Sequence, residues 1–129
     1  IGGMSWHSEN AYMIKPLVEK TIKEGKLLGA ICDACRFLGT IGVLNYGKHT
    51  ANDLAELKES AGAAYINEAQ FIHRQAVNDK NIVTANGTAT VEFAKEVLLA
   101  LQVAEEKVIN AWYEFHKLGI YIALLPEMR

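Results

Sequence analysis

The fold is decided by one stretch of this chain, Leu27-Leu28-Gly29-Ala30-Ile31-Cys32-Asp33-Ala34-Cys35-Arg36-Phe37-Leu38. Its first five residues are apolar and short enough for a buried strand, and the segment after Cys32 is compatible with a helix. Cys32 therefore lies on a strand-to-helix turn, with small residues two positions away on either side, Ala30 and Ala34. Small neighbours permit the sharp turn of a nucleophile elbow, which exposes a reactive side chain.

The segments on both sides of this stretch predict an α/β protein. Residues 9–24 place apolar side chains mainly on one helical face, and Gly25 ends that helix. A buried, parallel strand over 27–31 and a short helix over about 34–40 follow. Strand, turn and helix in succession are the repeating unit of an α/β sheet.

The rest of the chain alternates turn signals with short periodic segments. We predict a helix that Asn52 or Asp53 caps and that ends near Ser60. Further predicted elements are a hairpin of 69–77 with 82–85 around a turn at 78–81, helices over 88–101 and 105–117, and a terminal apolar strand or docking tail over 120–125. No repeat and no linker divides the sequence, so a single domain over residues 1–129 is expected.

Composition excludes several classes of function. The 129 residues, half of them hydrophobic, are enough to bury a core. The formal net charge of −2, from 13 basic and 15 acidic residues, gives no basic stripe for nucleic acid. No apolar run approaches the roughly 20 residues that cross a bilayer. We therefore expect a cytoplasmic protein without nucleic-acid or membrane partners.

The two cysteines, Cys32 and Cys35, are too close in sequence to form the disulfide framework of a secreted fold. At a helix N-terminus, unpaired N–H groups and the helix dipole favour a thiolate, so Cys32 is a candidate nucleophile. Two other interpretations stay open, a buried structural cysteine and a C-x-x-C redox pair with Cys35. A single C-x-x-C lacks the second ligand pair of a metal site, and no metal or cofactor is expected.

A thiolate nucleophile needs donors for the oxyanion that forms and a group that carries the proton. Gly2 and Gly3 could supply backbone N–H groups if their strand lies beside the strand that ends at Cys32. His7, after the glycine turn, and His49, at a loop-to-strand junction, are the candidate proton carriers. The other two histidines fall in a predicted strand and a predicted helix and are expected to be structural, His73 and His116.

The order of these motifs resembles the ThiJ/PfpI family. A strand that ends in Gly-Gly, a helix, Ala30-Ile31-Cys32 with a small residue two positions on, a hairpin, and a turn with Thr88 before Val91-Glu92-Phe93-Ala94 follow one another here. Most of the similarity lies in 75–89, and the resemblance runs from residue 1 to about residue 104. It implies a flavodoxin-like three-layer sandwich of the class I glutamine amidotransferase type, with a mainly parallel sheet plus the hairpin.

The resemblance also implies roles for individual residues. Cys32 would be the reactive cysteine, the N–H groups of Gly3 and Asp33 would form the oxyanion hole, and the protein would be a homodimer. The family's first βαβ segment, with the acidic side chain that contacts the cysteine, would precede Ile1. Residues 1–129 would then be the C-terminal two thirds of the domain and would pack against that segment. We expect the pocket to be lined by Trp6, Asn86, Gly87 and Thr88.

Two departures from the family pattern narrow the expected activity. Family proteases carry histidine directly after the cysteine, where this chain has Asp33. Amidotransferases use a later His-x-Glu pair, where this chain reads Asn86-Gly87-Thr88. Peptidase and glutaminase activities are therefore not expected. Asp33 also places a negative charge beside the thiol, which opposes the helix dipole.

The sequence thus predicts a cysteine-dependent enzyme of the hydrolase or amidase type, or one with glyoxalase-like activity on a small carbonyl compound. Its nucleophile would be Cys32 and its substrate a small molecule. The alternative is a non-catalytic redox or stress-response protein in which Cys32 senses oxidation and Cys35 resolves it. A C-x-x-C thiol oxidoreductase is the third interpretation.

Overall fold

The computed structural model of the protein describes residues 1–123. A 3-10 turn (Glu9–Ile14) leads directly into the first α-helix, and further short 3-10 turns occur at Val43–Tyr46, Gly62–Ala64 and Glu68–Gln70. The helices are α1 (Lys15–Lys23), α2 (Asp33–Thr40), α3 (Leu54–Ala61), α4 (Thr90–Leu101), α5 (Glu106–Leu118) and α6 (Ile120–Ala123). The strands are β1 (Leu28–Ile31), β2 (Ala76–Asp79) and β3 (Ile82–Ala85).

The three strands form one sheet in the order β1-β3-β2. β1 runs parallel to β3, with Ile31 opposite Ala85, and β2 pairs with β3 as an antiparallel hairpin. The predicted α/β class, the strand before Cys32 and the hairpin are therefore confirmed. Within the described residues the sheet is mixed, with one parallel and one antiparallel pairing.

Helices cover both faces of this sheet. On one face, Leu28 and Ala30 are buried in a core that includes Val18 of α1 and Phe37 of α2. On the other face α4 packs closely, and a Cβ atom added at Gly29 would lie 2.9 Å from the ring of Phe93. The glycine is what lets the helix approach β1 so closely. Helix, sheet and helix make the three layers that the sequence predicts.

The N-terminal residues lie alongside the free edge of β1. The N-terminal amino group of Ile1 donates to the carbonyl of Gly29 at 2.7 Å, and the N–H of Ile31 donates to the carbonyl of Ile1 at 3.1 Å. The glycine turn that follows therefore leaves the sheet at the same end as Cys32. The segment that leads into Gly2 and Gly3 thus lies beside the strand that ends at Cys32, which was the condition for these glycines to supply N–H groups to the site.

Three local expectations are corrected. The first hairpin strand is Ala76–Asp79 where 69–77 was predicted, and the turn is tighter than the predicted 78–81, because Lys80 and Asn81 both adopt positive φ and close a two-residue turn. His73 lies in the loop before β2 and is exposed, not in a strand. Residues 120–123 form α6 where a strand or tail was predicted, and the end of that segment lies outside the described residues.

A buried loop joins α2 and α3 to the sheet. The N–H of Thr50 donates to the buried hydroxyl of Thr84 at 2.9 Å, and His49 pairs with Phe71 in a short parallel bridge. The ring of His49 is 1% exposed, with Nδ1 2.8 Å from the carbonyl of Gly47 and Nε2 2.6 Å from the hydroxyl of Tyr65. A carbonyl only accepts, so Nδ1 carries the proton of the neutral ring and Nε2 accepts from Tyr65.

Cys35 is part of the core. Its side chain is fully buried, and its Sγ lies 3.2 Å from the carbonyl of Ala30 in β1 and 3.3 Å from that of Ala85 in β3, so its single S–H proton is shared between these two acceptors. Burial raises the pKa of this thiol to about 12. Cys35 therefore stays protonated at neutral pH and helps to join the two parallel strands.

His49 predicts a loss of stability in acid. Burial lowers its pKa from the ordinary 6.5, although the bond to Gly47 acts in the opposite direction. The unfolded chain then binds a proton more readily, so the stabilisation is complete above about pH 6.5 and falls as the pH drops toward the pKa of the folded state. Urea unfolding between pH 7 and pH 5 measures this slope. In His49→Gln, which cannot titrate, the slope should be smaller, and an unchanged slope would contradict the assignment.

The raised pKa of Cys35 predicts that the free energy of unfolding falls in alkali. Its raised pKa stabilises the folded state fully below about pH 9, and this contribution is lost as the pH rises toward 12. The slope amounts to one proton, about 1.4 kcal/mol per pH unit. Cys35→Ala should remove it from the pH dependence of unfolding free energy. Tyr65, whose pKa burial raises from 10.0 to about 12, should leave a residual slope in the variant that begins only above about pH 10.

Candidate active site around Cys32

Cys32 has an unusual backbone conformation for a residue with a side chain. Its φ is 64° and its ψ is −132°, in a region that favours glycine. The N–H of Cys32 donates to the carbonyl of Ala85 at 3.0 Å, and its carbonyl accepts from Cys35 N–H as α2 begins. Strained backbone of this kind concentrates at functional sites and persists where the surroundings hold it. This is the geometry expected of an elbow between β1 and α2.

The thiol of Cys32 is partly exposed and lies between two neighbours from other parts of the chain. Asn52 places its Nδ2 3.5 Å from Sγ. Gly87 lies so close that a Cβ atom added there would be 3.0 Å from the sulfur. Only a residue without a side chain leaves room for the thiol at this point.

The amide of Asn52 is oriented by a second bond. Its Oδ1 accepts from the N–H of Gly87 at 2.7 Å, which fixes the oxygen on that side and turns the NH₂ group toward Cys32. The cap of α3 is Asp53, whose Oδ1 accepts from Glu56 N–H at 2.8 Å, so Asn52 is not needed there. The sequence suggested Asn52 only as an alternative cap. Its place beside the thiol depends on how the loop docks on the sheet, which sequence spacing does not encode.

The two residues predicted to supply oxyanion donors, Asp33 and Gly3, come from different segments of the chain, and their role stays a prediction. Asp33 is the first residue of α2, where the backbone N–H has no partner within the helix. Gly3 has φ 107° and follows the residues that pair with β1. The indole of Trp6 holds this turn, since its Nε1 donates to the carbonyl of Gly2 at 2.7 Å and its ring lies 5.2 Å from that of Phe37.

The carboxylate of Asp33 is almost buried and has several partners. Its Oδ1 forms an ion pair with Arg36 one turn along α2. Its Oδ2 accepts from the backbone N–H of Trp6 at 3.2 Å and lies 3.5 Å from Nδ1 of His7. The side chain of His7 is 69% exposed, so this imidazole is open to solvent.

The structure does not bring His49 into this group. Both of its ring nitrogens are engaged in the interior, by Gly47 and by Tyr65, and burial lowers its pKa. An imidazole without a free nitrogen cannot carry a proton to or from a substrate. The expectation that His49 could reach the pocket is therefore not supported by its geometry, and the loop presents Asn52 to the thiol in its place.

Cys35 is not placed as a resolving thiol. It is buried, its S–H lies within hydrogen-bond distance of two backbone carbonyls, and burial raises its pKa to about 12, so it supplies no thiolate near neutral pH. These properties argue against a C-x-x-C exchange reaction between Cys32 and Cys35. Oxidation of Cys32 by itself stays a prediction of the sequence.

The predicted pocket residues divide between two cavities. Trp6 and Gly3 line a cavity of about 380 Å³ beside the N-terminal turn. Asn86 lines another, of about 560 Å³, with Asn52, Phe71 and residues 73–75. Gly87 contacts the thiol, and Thr88 does not line either cavity but bonds to Asn86. Sequence analysis did not identify three loop residues that line the larger cavity, Phe71, Arg74 and Gln75. It assigned a structural role to His73, which also lines this cavity.

Residues 1–123 lack two further features. No group of three or more histidine, cysteine, aspartate or glutamate side chains there could hold a metal ion. No helix in the same part of the chain is long and apolar enough to cross a membrane.

Comparison with known proteins identifies the family. The model of the DJ-1/PfpI family matches residues 1–100. An uncharacterized protease from Bacillus subtilis, YoaZ, is 37% identical over 116 residues, which are 90% of this chain and 55% of that protein. A second one from the same organism, YdeA, is 34% identical over 121 residues, 94% of this chain and 60% of that protein.

Solved structures agree with this result. A ThiJ/PfpI family protein from Bacillus anthracis has a TM-score of 0.84 at 35% identity, over 90% of this chain and 54% of its own. A DJ-1 superfamily protein from Agrobacterium tumefaciens has a TM-score of 0.78 at 36% identity, over 91% and 61%. The chain thus spans between half and two thirds of the length of these relatives. With a family model over most of its length and relatives above 30% identity, the chain belongs to the DJ-1/PfpI family.

Proposed function

We propose that this chain carries the reactive-cysteine part of a cysteine-dependent enzyme that acts on the carbonyl group of a small molecule, as an amidase-like or other hydrolase or as a glyoxalase-like enzyme. The observation that carries the proposal is Cys32 itself. It combines a strained φ of 64° with a partly exposed thiol that accepts a hydrogen bond from Asn52. A merely structural cysteine needs none of these features, as buried Cys35 illustrates.

In the proposed reaction the sulfur of Cys32 attacks the carbonyl carbon of the substrate as a thiolate. The negative charge that develops on the carbonyl oxygen would be held by the backbone N–H groups of Asp33 and Gly3. The N-terminus of α2 adds its partial positive charge at the same place. Asn52 stabilises the thiolate before attack, because its NH₂ group faces the sulfur and its carbonyl oxygen is already bonded to Gly87.

His7 is the proposed proton carrier. Its Nδ1 lies 3.5 Å from the carboxylate of Asp33, which can orient the ring and leave Nε2 toward solvent or substrate. The ring is exposed and held by this single long contact, so closure around a substrate would have to fix it. His49 has no part in the proposed mechanism.

The names of the curated relatives support an enzymatic function but do not define the reaction. The curated relatives from Bacillus subtilis are named as uncharacterized proteases. In this chain Asp33 follows the reactive cysteine, and Asn86-Gly87-Thr88 is the later turn. Neither position supplies the histidine of the family's proteases or amidotransferases, so a small substrate suits the site better than a peptide. A homodimer and a cytoplasmic location stay predictions of the sequence.

Asn52 gives the first test of the proposal. Loss of its N–H donor should slow alkylation of Cys32 by iodoacetamide about three- to tenfold in Asn52→Ala, because a net hydrogen bond of this kind is worth roughly 1 kcal/mol. Asn52→Asp should be slower still, since one oxygen can accept from Gly87 while the other repels the thiolate. The rate is read by mass spectrometry of the Cys32 peptide at fixed pH.

The matched control is Asn45→Ala. This asparagine also bridges two loops, to Ala64 and Ile66, but has no contact with the thiol. Its variant should alkylate at the wild-type rate. Equal rates for wild type, Asn52→Ala and Asn52→Asp would exclude Asn52 from thiolate stabilisation.

Cys32 gives the second test. The full-length protein is assayed with a panel of small amides, esters and α-dicarbonyl compounds, and the Cys32 peptide is searched for a covalent adduct. Cys32→Ser should lose turnover and adduct together, because a serine hydroxyl at this place lacks a strong base to activate it. Cys35→Ala should retain both. Turnover that survives in Cys32→Ser would rule out covalent catalysis by this residue.

A further inference from the structure

We propose that a cavity of about 560 Å³, which shares Asn52 with the narrow pocket that Cys32 lines, binds the carboxylate group of the substrate through Arg74. The inference rests on the proposed function, because it assigns a substrate class to the same site. A cavity of this size falls within the range of small-molecule sites, about 300 to 1,000 Å³. It adjoins the thiol through Asn52, which touches the sulfur, and through Asn86, which precedes Gly87.

Most polar groups of the wall already bond to one another. The Nδ2 of Asn86 donates to Oε1 of Gln75 at 2.7 Å, and Nε2 of Gln75 donates to the hydroxyl of Thr88 at 3.2 Å. Thr88 in turn donates through its N–H and its hydroxyl to Oδ1 of Asn86. These three side chains bond to one another, so fewer of their donors and acceptors remain for a ligand.

Arg74 differs from these three side chains. Within residues 1–123 it forms no ion pair, whereas Arg36, the other arginine in that range, is paired with Asp33. The carboxylate in the cavity wall is that of Asp53, and its Oδ1 already caps α3. Arg74 is exposed and lines the cavity, so its guanidinium offers five donors that no carboxylate of residues 1–123 satisfies.

A guanidinium binds carboxylates in a bidentate arrangement, which gives orientation as well as affinity. His73, also in the wall, packs edge-on against Phe71 at 5.0 Å and adds an imidazole donor beside Arg74. A substrate with a carboxylate at one end and a reactive carbonyl at the other would therefore lie between Arg74 and Cys32. A neutral substrate would leave the guanidinium with water alone.

Two thiol reagents that differ only in charge test this inference on the full-length protein. Cys32 is modified with 3-maleimidopropionate and with its neutral amide, and each rate is divided by the rate of the same reagent with 2-mercaptoethanol. The ratio of the normalised rates should favour the anion by roughly two- to fivefold at low salt, as expected for a partly exposed ion pair. Added salt should reduce this preference.

Variants assign the preference to one side chain. Arg74→Gln should bring the ratio to about one, and Arg74→Lys should retain part of it because the charge remains. Lys20→Gln, which removes a cation on α1 that is paired with Glu24, should leave the ratio unchanged. A wild-type ratio of one, or a ratio that Arg74→Gln does not change, would overturn the inference.

The same experiment separates this inference from the proposed function. The rate with the neutral amide, compared with that of unfolded protein, reports whether Cys32 is an activated thiol. The change in the ratio between wild type and Arg74→Gln reports the contribution of Arg74, whatever the absolute rate. A fast neutral reaction with a ratio of one would therefore overturn carboxylate binding and leave the reactive cysteine in place.

Discussion

The carbonyl of Ala85 is the acceptor on which the elbow depends. It receives the N–H of Cys32 at 3.0 Å and the thiol of Cys35 at 3.3 Å, so the end of β3 holds both sides of the turn that follows β1. A non-glycine residue in a sparsely populated region of φ and ψ costs about 1 to 3 kcal/mol. The parallel register, with Ile31 opposite Ala85, supplies the rigid frame that maintains this conformation.

The same strand end also assembles the surroundings of the thiol. One residue before Ala85, the hydroxyl of Thr84 accepts from Thr50 and fixes the loop that carries Asn52. Two residues after Ala85, Gly87 approaches the sulfur and donates to that asparagine. Because parallel strands end at the same edge of a sheet, side chains distant in sequence converge there. The end of β3 thus positions the neighbours of the thiol, which come from more than one loop.

What the sequence predicts well is local. The apolar strand before Cys32, the cap at Asp53 and the two-strand hairpin each follow from a pattern within a few residues, and the structure has all three. The choice between His49 and Asn52 is different, since it depends on which loop residue faces the sheet and which faces the thiol. His49 and Asn52 are three positions apart in sequence. Only the docking of their loop on the sheet through Thr50 determines that the imidazole is buried. Arg74 and the larger cavity were missed for the same reason.

The electrostatic effect of Asp33 on the thiol is judged differently once tertiary contacts are considered. From the sequence, Asp33 places an anion next to Cys32 and opposes the dipole of α2. In the structure Arg36 pairs with that carboxylate and Trp6 donates to it, so the unfavourable charge is largely compensated. The donor that the structure places against the sulfur is a neutral one, the amide of Asn52. Neutral donors stabilise a thiolate without forming a fixed ion pair that would hold the sulfur away from an incoming carbonyl.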